Sequence, residues 1–171
     1  ELNRLIDHEI ELAKSGKQGR IILKMNALQD PAMIERLYEA SQAGVKTDLI
    51  VRGICCLIPG RKFSRNIRVT RIVDTFLEHA RVWYFGNGGK PKLFLGSPDW
   101  MRRNLYRRIE AVTPILDPDL KRELSDMLSI QLSDKRKACF VDDRLHNRWK
   151  SARPQKEKIR AQYTFYEYLK S

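Results

Sequence analysis

Apolar residues recur at Leu2, Leu5, Ile6, Ile10 and Leu12-Ala13, the spacing of one helical face, and stop at Gly16. An amphipathic helix therefore opens the chain. Residues 20–26 form instead a short, nearly continuous apolar run with β-branched side chains, the pattern of a buried strand. Asp30-Pro31 starts a second helix, with aspartate as cap and proline in the first turn. It carries Ile34, Leu37, Tyr38 and Ala40 to a stop at Gly44, and residues 45–51 read as the next strand. A strand–helix–strand unit with such short connections predicts a parallel pair covered by helices.

From Gly53 to Arg71 the apolar pattern lapses into a polar stretch bearing Arg61, Lys62, Arg65, Arg68 and Arg71. It reads as a long basic loop, and long loops inside compact domains usually carry function. Residues 74–79 read as a short helix, and strands at 81–85 and 92–95 are joined by Gly86-Asn87-Gly88-Gly89, a strong hairpin signal. Residues 107–115 read as a further strand, 119–132 as a helix, 137–141 as a strand and 156–169 as a closing helix. This alternation predicts an α/β domain whose mixed, mostly parallel sheet is flanked by helices.

Composition narrows the picture only in places. A length of 171 residues is most simply one domain with a substantial core. No apolar run approaches the roughly 20 residues needed to cross a bilayer. The chain begins with glutamate and shows no signal-peptide core, so a segment cut from a longer protein is expected. The net charge of +12 calls for a polyanionic partner such as nucleic acid, nucleotide, polyphosphate or an anionic membrane face, unless it serves solubility alone. Cys55, Cys56 and Cys139 fit neither a disulfide framework nor a zinc site; buried apolar cysteines in a reducing cytoplasm are expected.

Among groups that carry chemistry, Arg52 lies at the carboxyl end of a predicted buried strand, where α/β sheets bind ligands. Its guanidinium suits bidentate contact with phosphate oxygens, and pairing with a carboxylate such as Asp74 is the competing role. His79 is a candidate phosphate contact or proton carrier, with Asp74 to orient it, or else a helix C-terminal histidine favoured by the macrodipole. Ser97 and Asp99 follow a strand end and can line a ligand pocket, while Asp99 equally suits a helix N-cap. On a strand spanning 107–115, Arg108 would share a face with Glu110. His8 and His146 read as surface residues, and Trp83, Trp100 and Trp149 as core and rim packing. No GxxxxGK[ST], GxGxxG or HExxH motif is present.

The ordered set Leu23-Lys24-Met25-Asn26, Arg36-Leu37-Tyr38-Glu39-Ala40-Ser41, Val51-Arg52-Gly53 with Cys55, Leu57 and Pro59, Ser64-Arg65-Asn66-Ile67, Ile72-Val73-Asp74 and Phe76-Leu77-Glu78-His79 resembles bacterial polyphosphate kinase. The resemblance continues through Asp99-Trp100-Met101, Arg103-Asn104, Arg108-Ile109-Glu110, Pro114-Ile115-Leu116-Asp117 and Lys137-Ala138, nearly the whole chain. It implies the C-terminal catalytic domain of that family, residues 1–171, with a phospholipase-D-like fold. It further implies ATP as substrate, and transfer of its terminal phosphate to inorganic polyphosphate through a phosphohistidine on a preceding phospholipase-D-like domain. Magnesium is then expected on that preceding domain, the longer parent is expected to be a homo-oligomer, and the isolated segment is expected to be inactive.

By resemblance, Arg52 and His79 correspond to the family's ATP-binding arginine and second essential histidine, and Arg108 to a further phosphate-facing arginine. Lys24, Asn26, Ser97, Asp99 and Asn104 are expected to line the pocket. No specific nucleic acid partner is implied; the location is cytoplasmic, with membrane association of the parent left open. The phospholipase-D pattern wants His-x-Lys with an aspartate five residues on. Here His79-Ala80-Arg81 has arginine, Gly86 takes the aspartate position, and Gly96-Ser97 survives. Two rival readings stand beside the kinase: a phosphodiesterase or nuclease half-site, and a non-catalytic polyanion-binding module.

Overall fold

The computed structural model describes residues 1–150 and 159–170. Its elements run α1 (Leu2–Lys14), β1 (Arg20–Met25), α2 (Pro31–Gln42), β2 (Lys46–Val51), β3 (Ile67–Ile72), β4 (Arg81–Phe85), β5 (Lys92–Gly96), α3 (Arg102–Arg107), β6 (Val112–Ile115), α4 (Pro118–Ser133), β7 (Ala138–Val141), β8 (Asn147–Trp149) and α5 (Ala161–Tyr168). All eight strands form one mixed sheet in the order β6-β5-β4-β1-β2-β3-β7-β8. Parallel pairing is confined to β1, β2 and β3 at its centre, and the flanking pairs are antiparallel.

The alternation of the strands sends two different sets of side chains to two helical layers. Ile21, Leu23, Leu49, Val51, Val69 and Trp83 join Ile6, Leu37 and Ala40 in the larger core beneath α1 and α2. Ile22, Ile50 and Val82 meet Met127 and Leu128 of α4 in a smaller core, with Phe165 of α5 packed against it. The predicted cap holds, Asp30 accepting from the Met33 amide at 3.0 Å; Asp117, not foreseen as a cap, accepts from Asp119 and Leu120 at 2.9 Å each at the start of α4. The hairpin turn puts Asn87, Gly88 and Gly89 at positive φ, which explains its glycines.

Four expectations fail. The stretch 53–71 is not all loop, because Ile67–Ile72 is the third parallel strand. Arg68 and Arg71 hid its alternation; each takes its charge away from the sheet plane to a partner elsewhere. Residues 74–79 are not helical. Gln162 of α5 satisfies the Phe76 backbone on both sides, accepting from its amide at 2.8 Å and donating to its carbonyl at 2.7 Å. The expected strand at 107–115 is a helix (α3) followed by the short β6, so Arg108 and Glu110 lie between elements and share no strand face. The closing helix begins at Ala161; residues 156–158 of the expected span lie outside the described residues, while β8 was not foreseen.

Trp83 and Trp100 are core residues, packed edge-to-face at 5.9 Å, whereas Trp149 is 66% exposed. Cys55 and Cys139 are buried as expected, but Cys56 is exposed. Among the described residues no helix is long and apolar enough to cross a membrane.

Candidate functional site

The carboxyl ends of β1 and β2 lie side by side, and β4 runs antiparallel to β1 with its first residues at the same edge. The turn bearing Arg52 and the segment bearing His79 therefore leave the sheet at one edge, roughly 10 Å apart at two strand spacings. Among the described residues the Arg52 guanidinium has no hydrogen-bond or ion-pair partner, and neither does the His79 imidazole. Asp74 serves neither of them: it pairs with Arg160 at 2.7 Å and approaches Lys137 at 4.0 Å. The Arg160 guanidinium, outweighing the effect of burial, lowers its pKa.

The two unpartnered side chains are held through their backbone. Arg71 of β3 donates from Nη2 to the Gly53 carbonyl at 2.7 Å and from Nε to the Val51 carbonyl at 3.4 Å, gripping the chain on both sides of Arg52. Its remaining nitrogen donates to Asn147 Oδ1 of β8 at 3.0 Å. Gly53 donates to the Asn26 carbonyl at 2.8 Å, and a Cβ there would come within 3.0 Å of that same oxygen, which selects glycine. Arg81 does the corresponding service for His79, donating to its carbonyl at 2.8 Å while paired with Asp99 at 3.2 Å.

Asp99 is no helix cap, since Met101 occupies that place. It is buried, accepts from the Asn26 amide at 2.8 Å and pairs with Arg81. Burial pushes its pKa up, but the Arg81 guanidinium and the backbone amides of Asn26 and Ala27 outweigh that, and the net shift is downward. The Asn26 side-chain nitrogen is buried without a partner among the described residues, a donor left for an anion.

Lys24 is not a free phosphate ligand. Its buried ammonium pairs with Glu78 at 2.6 Å, and Glu78 also accepts from Gln131 and, at 3.0 Å, from Gln162. This network floors a cavity of about 330 Å³ with a mostly apolar lining, including Phe76, His79, Phe165 and Tyr166. The Cys55 thiol close to the Arg52 turn is pushed up to about 11 by burial, against the pull of the Leu57 carbonyl contact and Arg71, so it is no nucleophile.

The remaining candidates gather elsewhere. Ser97 donates to Glu110 and takes the Ala111 amide at 3.1 Å, and Asn104 donates to Glu110 at 2.6 Å. Those two bonds lower the Glu110 pKa, with Arg108 and Arg81 adding to it. Arg108, Asn104 and Glu110 line a groove of about 570 Å³ with Trp83, Phe94 and Leu105, which shares no lining residue with the cavity beside Lys24 and His79. Thus the structure groups Asn26, Arg52, His79 and Asp99, joins Lys24 to them through Glu78, and puts Asn104 and Arg108 on another groove, with Ser97 next to Gly96, the cross-strand partner of Arg81.

Glu78, Arg71 and Arg81 escaped the sequence reading as partners. Arg71 carried a usable signal in the alternation of Ile67, Val69 and the residues between them. The Glu78 pair spans 54 positions and carried none. No three His, Cys, Asp or Glu side chains among the described residues are grouped to hold a metal ion.

Residues 1–162 match the family model described as polyphosphate kinase C-terminal domain 2. The chain is 47% identical over 171 residues to a polyphosphate kinase of Escherichia coli strain K12, covering 99% of this chain and 25% of the relative. It is 55% identical over 136 residues to that of Thermosynechococcus vestitus, covering 79% and 19%. The chain thus spans about a quarter or less of these relatives. A crystal structure of polyphosphate kinase from Porphyromonas gingivalis superposes with a TM-score of 0.94 at 56% identity, over 98% of this chain and 26% of that one. Nuc from Salmonella typhimurium, a phospholipase D family member, superposes at 0.52 with 16% identity over 72% and 84%, a likeness of fold alone.

Proposed function

The chain belongs to the polyphosphate kinase family as its C-terminal domain 2, and from that premise we propose that it forms one wall of an ATP-dependent polyphosphate-synthesising site. The parent would transfer the terminal phosphoryl group of ATP to a histidine of a preceding phospholipase-D-like domain. That histidine would pass the group to the end of a polyphosphate chain, with ADP released in the first step. Residues 1–171 are the C-terminal catalytic domain in this reading.

Phosphoryl transfer asks the protein for placement and for positive charge where the equatorial oxygens gather it. The observation that carries the proposal is the pair of unpartnered groups, Arg52 and His79, at one sheet edge on backbone held by Arg71 and Arg81. Arg52 would clamp phosphate oxygens bidentately. His79 would donate a hydrogen bond to them from across the cleft, and the Asn26 amide nitrogen would add a neutral donor. Lys24 contributes indirectly, by fixing Glu78 beneath His79. Arg108, on its separate groove, would meet polyphosphate rather than ATP. Among the described residues the site offers no carboxylate cluster for magnesium, and Asp99 and Glu110 are already bonded. Its place is the preceding domain.

The phosphodiesterase alternative needs a free cation at position 81. Arg81 is instead committed to Asp99 and to the His79 carbonyl.

In the full-length parent, Arg52→Ala and His79→Ala should each lower polyphosphate synthesis by about 100-fold or more, with unchanged melting temperature. Wild-type turnover in either variant would refute the site. The 171-residue segment alone should make no polyphosphate from ATP.

A further inference from the structure

The opposite ends of the parallel strands hold a second basic feature. Arg20, Lys46, Arg65 and Arg68 line a groove of about 530 Å³ at the amino ends of β1, β2 and β3, together with Thr47 and Asp48. The one carboxylate, Asp48, is taken by Arg20 at 2.5 Å. Lys46, Arg65 and Arg68 have no carboxylate partner among the described residues; Arg68 lies over the Phe140 ring at 5.4 Å. Arg65 also lines an adjoining cavity of about 470 Å³ with Lys62, so the unpaired cations form one continuous tract. The Thr47 hydroxyl in the lining is buried without a partner among the described residues.

We propose that this groove binds a linear polyphosphate chain at a second site, away from the Arg52 end of the sheet. The inference rests on the polyphosphate kinase reading for the identity of the ligand. A single phosphate would leave most of the tract uncompensated, whereas a linear polyanion neutralises successive cations and releases their counter-ions. Single-stranded nucleic acid would need aromatic platforms for its bases. No aromatic residue lines the groove, and Phe63 in the adjoining cavity is engaged edge-on with Tyr38 at 4.7 Å. Along β2, the six residue steps from Lys46 to Arg52 separate the two ends by about 20 Å. A short oligophosphate cannot touch both, while a long chain can, so the groove would retain a growing polymer whose end is at the active edge.

The test uses the full-length parent carrying Lys46→Gln, Arg65→Gln and Arg68→Gln together, substitutions of exposed side chains that should leave the melting temperature unchanged. Equilibrium binding of labelled long-chain polyphosphate should weaken by about tenfold, and its log-affinity against log-salt slope should fall by about 2, near 0.7 per removed cation. Tripolyphosphate affinity and the KM for ATP should be unchanged. Unaltered long-chain affinity and slope would overturn the proposal, as would an equal loss for tripolyphosphate. A loss of DNA affinity matching that for polyphosphate would overturn the choice of ligand. Arg52→Ala is the separate control. Undiminished synthesis in that variant would sink the active-site reading, while the binding measurement would still judge the groove.

Discussion

At the scale of single residues, the value of Arg52 comes from what surrounds its backbone. A guanidinium without a protein partner gains from a ligand only if its turn is already fixed, since an untethered arginine loses rotamer and loop entropy on binding. Arg71 supplies that fixation with bonds to the carbonyls on both sides. In the full-length parent, Arg71→Met should therefore raise the KM for ATP by about tenfold while lowering kcat less. Arg71→Lys should not rescue it, because an ammonium cannot reproduce the fork. Coupling decides the point: Arg52→Ala with Arg71→Met should be no worse in kcat/KM than Arg52→Ala alone. Additive losses would mean that Arg71 acts on stability only. The place of Arg52 at the carboxyl end of β2 was legible from sequence because a polar residue there closes an apolar run. The burial of Lys24 under Glu78 was not, since sequence shows a lysine on a strand without showing the carboxylate that meets it.

At the scale of elements, two aspartates hold joints that local patterns do not reveal. Asp134 is fully buried; its carboxylate takes the amides of Arg136, Lys137 and Ala138 at 2.7–3.0 Å and that of Ala161 at 2.7 Å. It joins the end of α4, the start of β7 and the start of α5. Asp134→Ala leaves those amides unsatisfied and should destabilise by about 3 kcal/mol, measured by the urea midpoint. Asp142 shapes the turn between β7 and β8. The His146 amide and then Arg148 and Arg144 bring its pKa from 3.8 to about 2 against the effect of burial. A depressed carboxylate stabilises the fold above its unfolded pKa and loses that contribution as pH falls through the folded one. The gap in urea midpoint between wild type and Asp142→Asn should be constant above about pH 4.5 and close toward pH 2. The same dependence on distant partners explains the misread segments. Residues 74–79 read as a short helix, but Gln162, 86 positions from Phe76, provides bonds that an isolated six-residue helix could not match. Strands β1 and β2 were read correctly because both faces are buried and apolarity alone marks them.

At the scale of the molecule, the excess charge is divided. The basic stretch expected as one loop sends Arg71 to the Arg52 turn and Arg61 toward Asp143, while Lys62, Arg65 and Arg68 reach the opposite edge. Composition showed only the excess of cations; the topology separates them by the length of a strand. The described surface also leaves Val73, Phe76 and Leu77 more than half exposed beside His79, and Ile54 likewise beside Arg52. Apolar side chains crowded around a polar site are what a docking domain covers. In the full-length parent, Leu77→Asp should lower synthesis while leaving the urea midpoint of this domain unchanged; unaltered synthesis would count against a domain interface here.

The amide of Gln162 stands in for a β-strand at Phe76, and this sets a hierarchy of motion. A ladder opens with the sheet, but a contact made by one side chain opens when α5 lifts, and α5 is only eight residues long. The Phe76 amide should therefore exchange its proton through a local opening, at a free energy well below that of Leu23 or Leu49 in the central strands. The backbone at Phe76 would then open before the central strands do, a latch that can be released while the sheet stays whole.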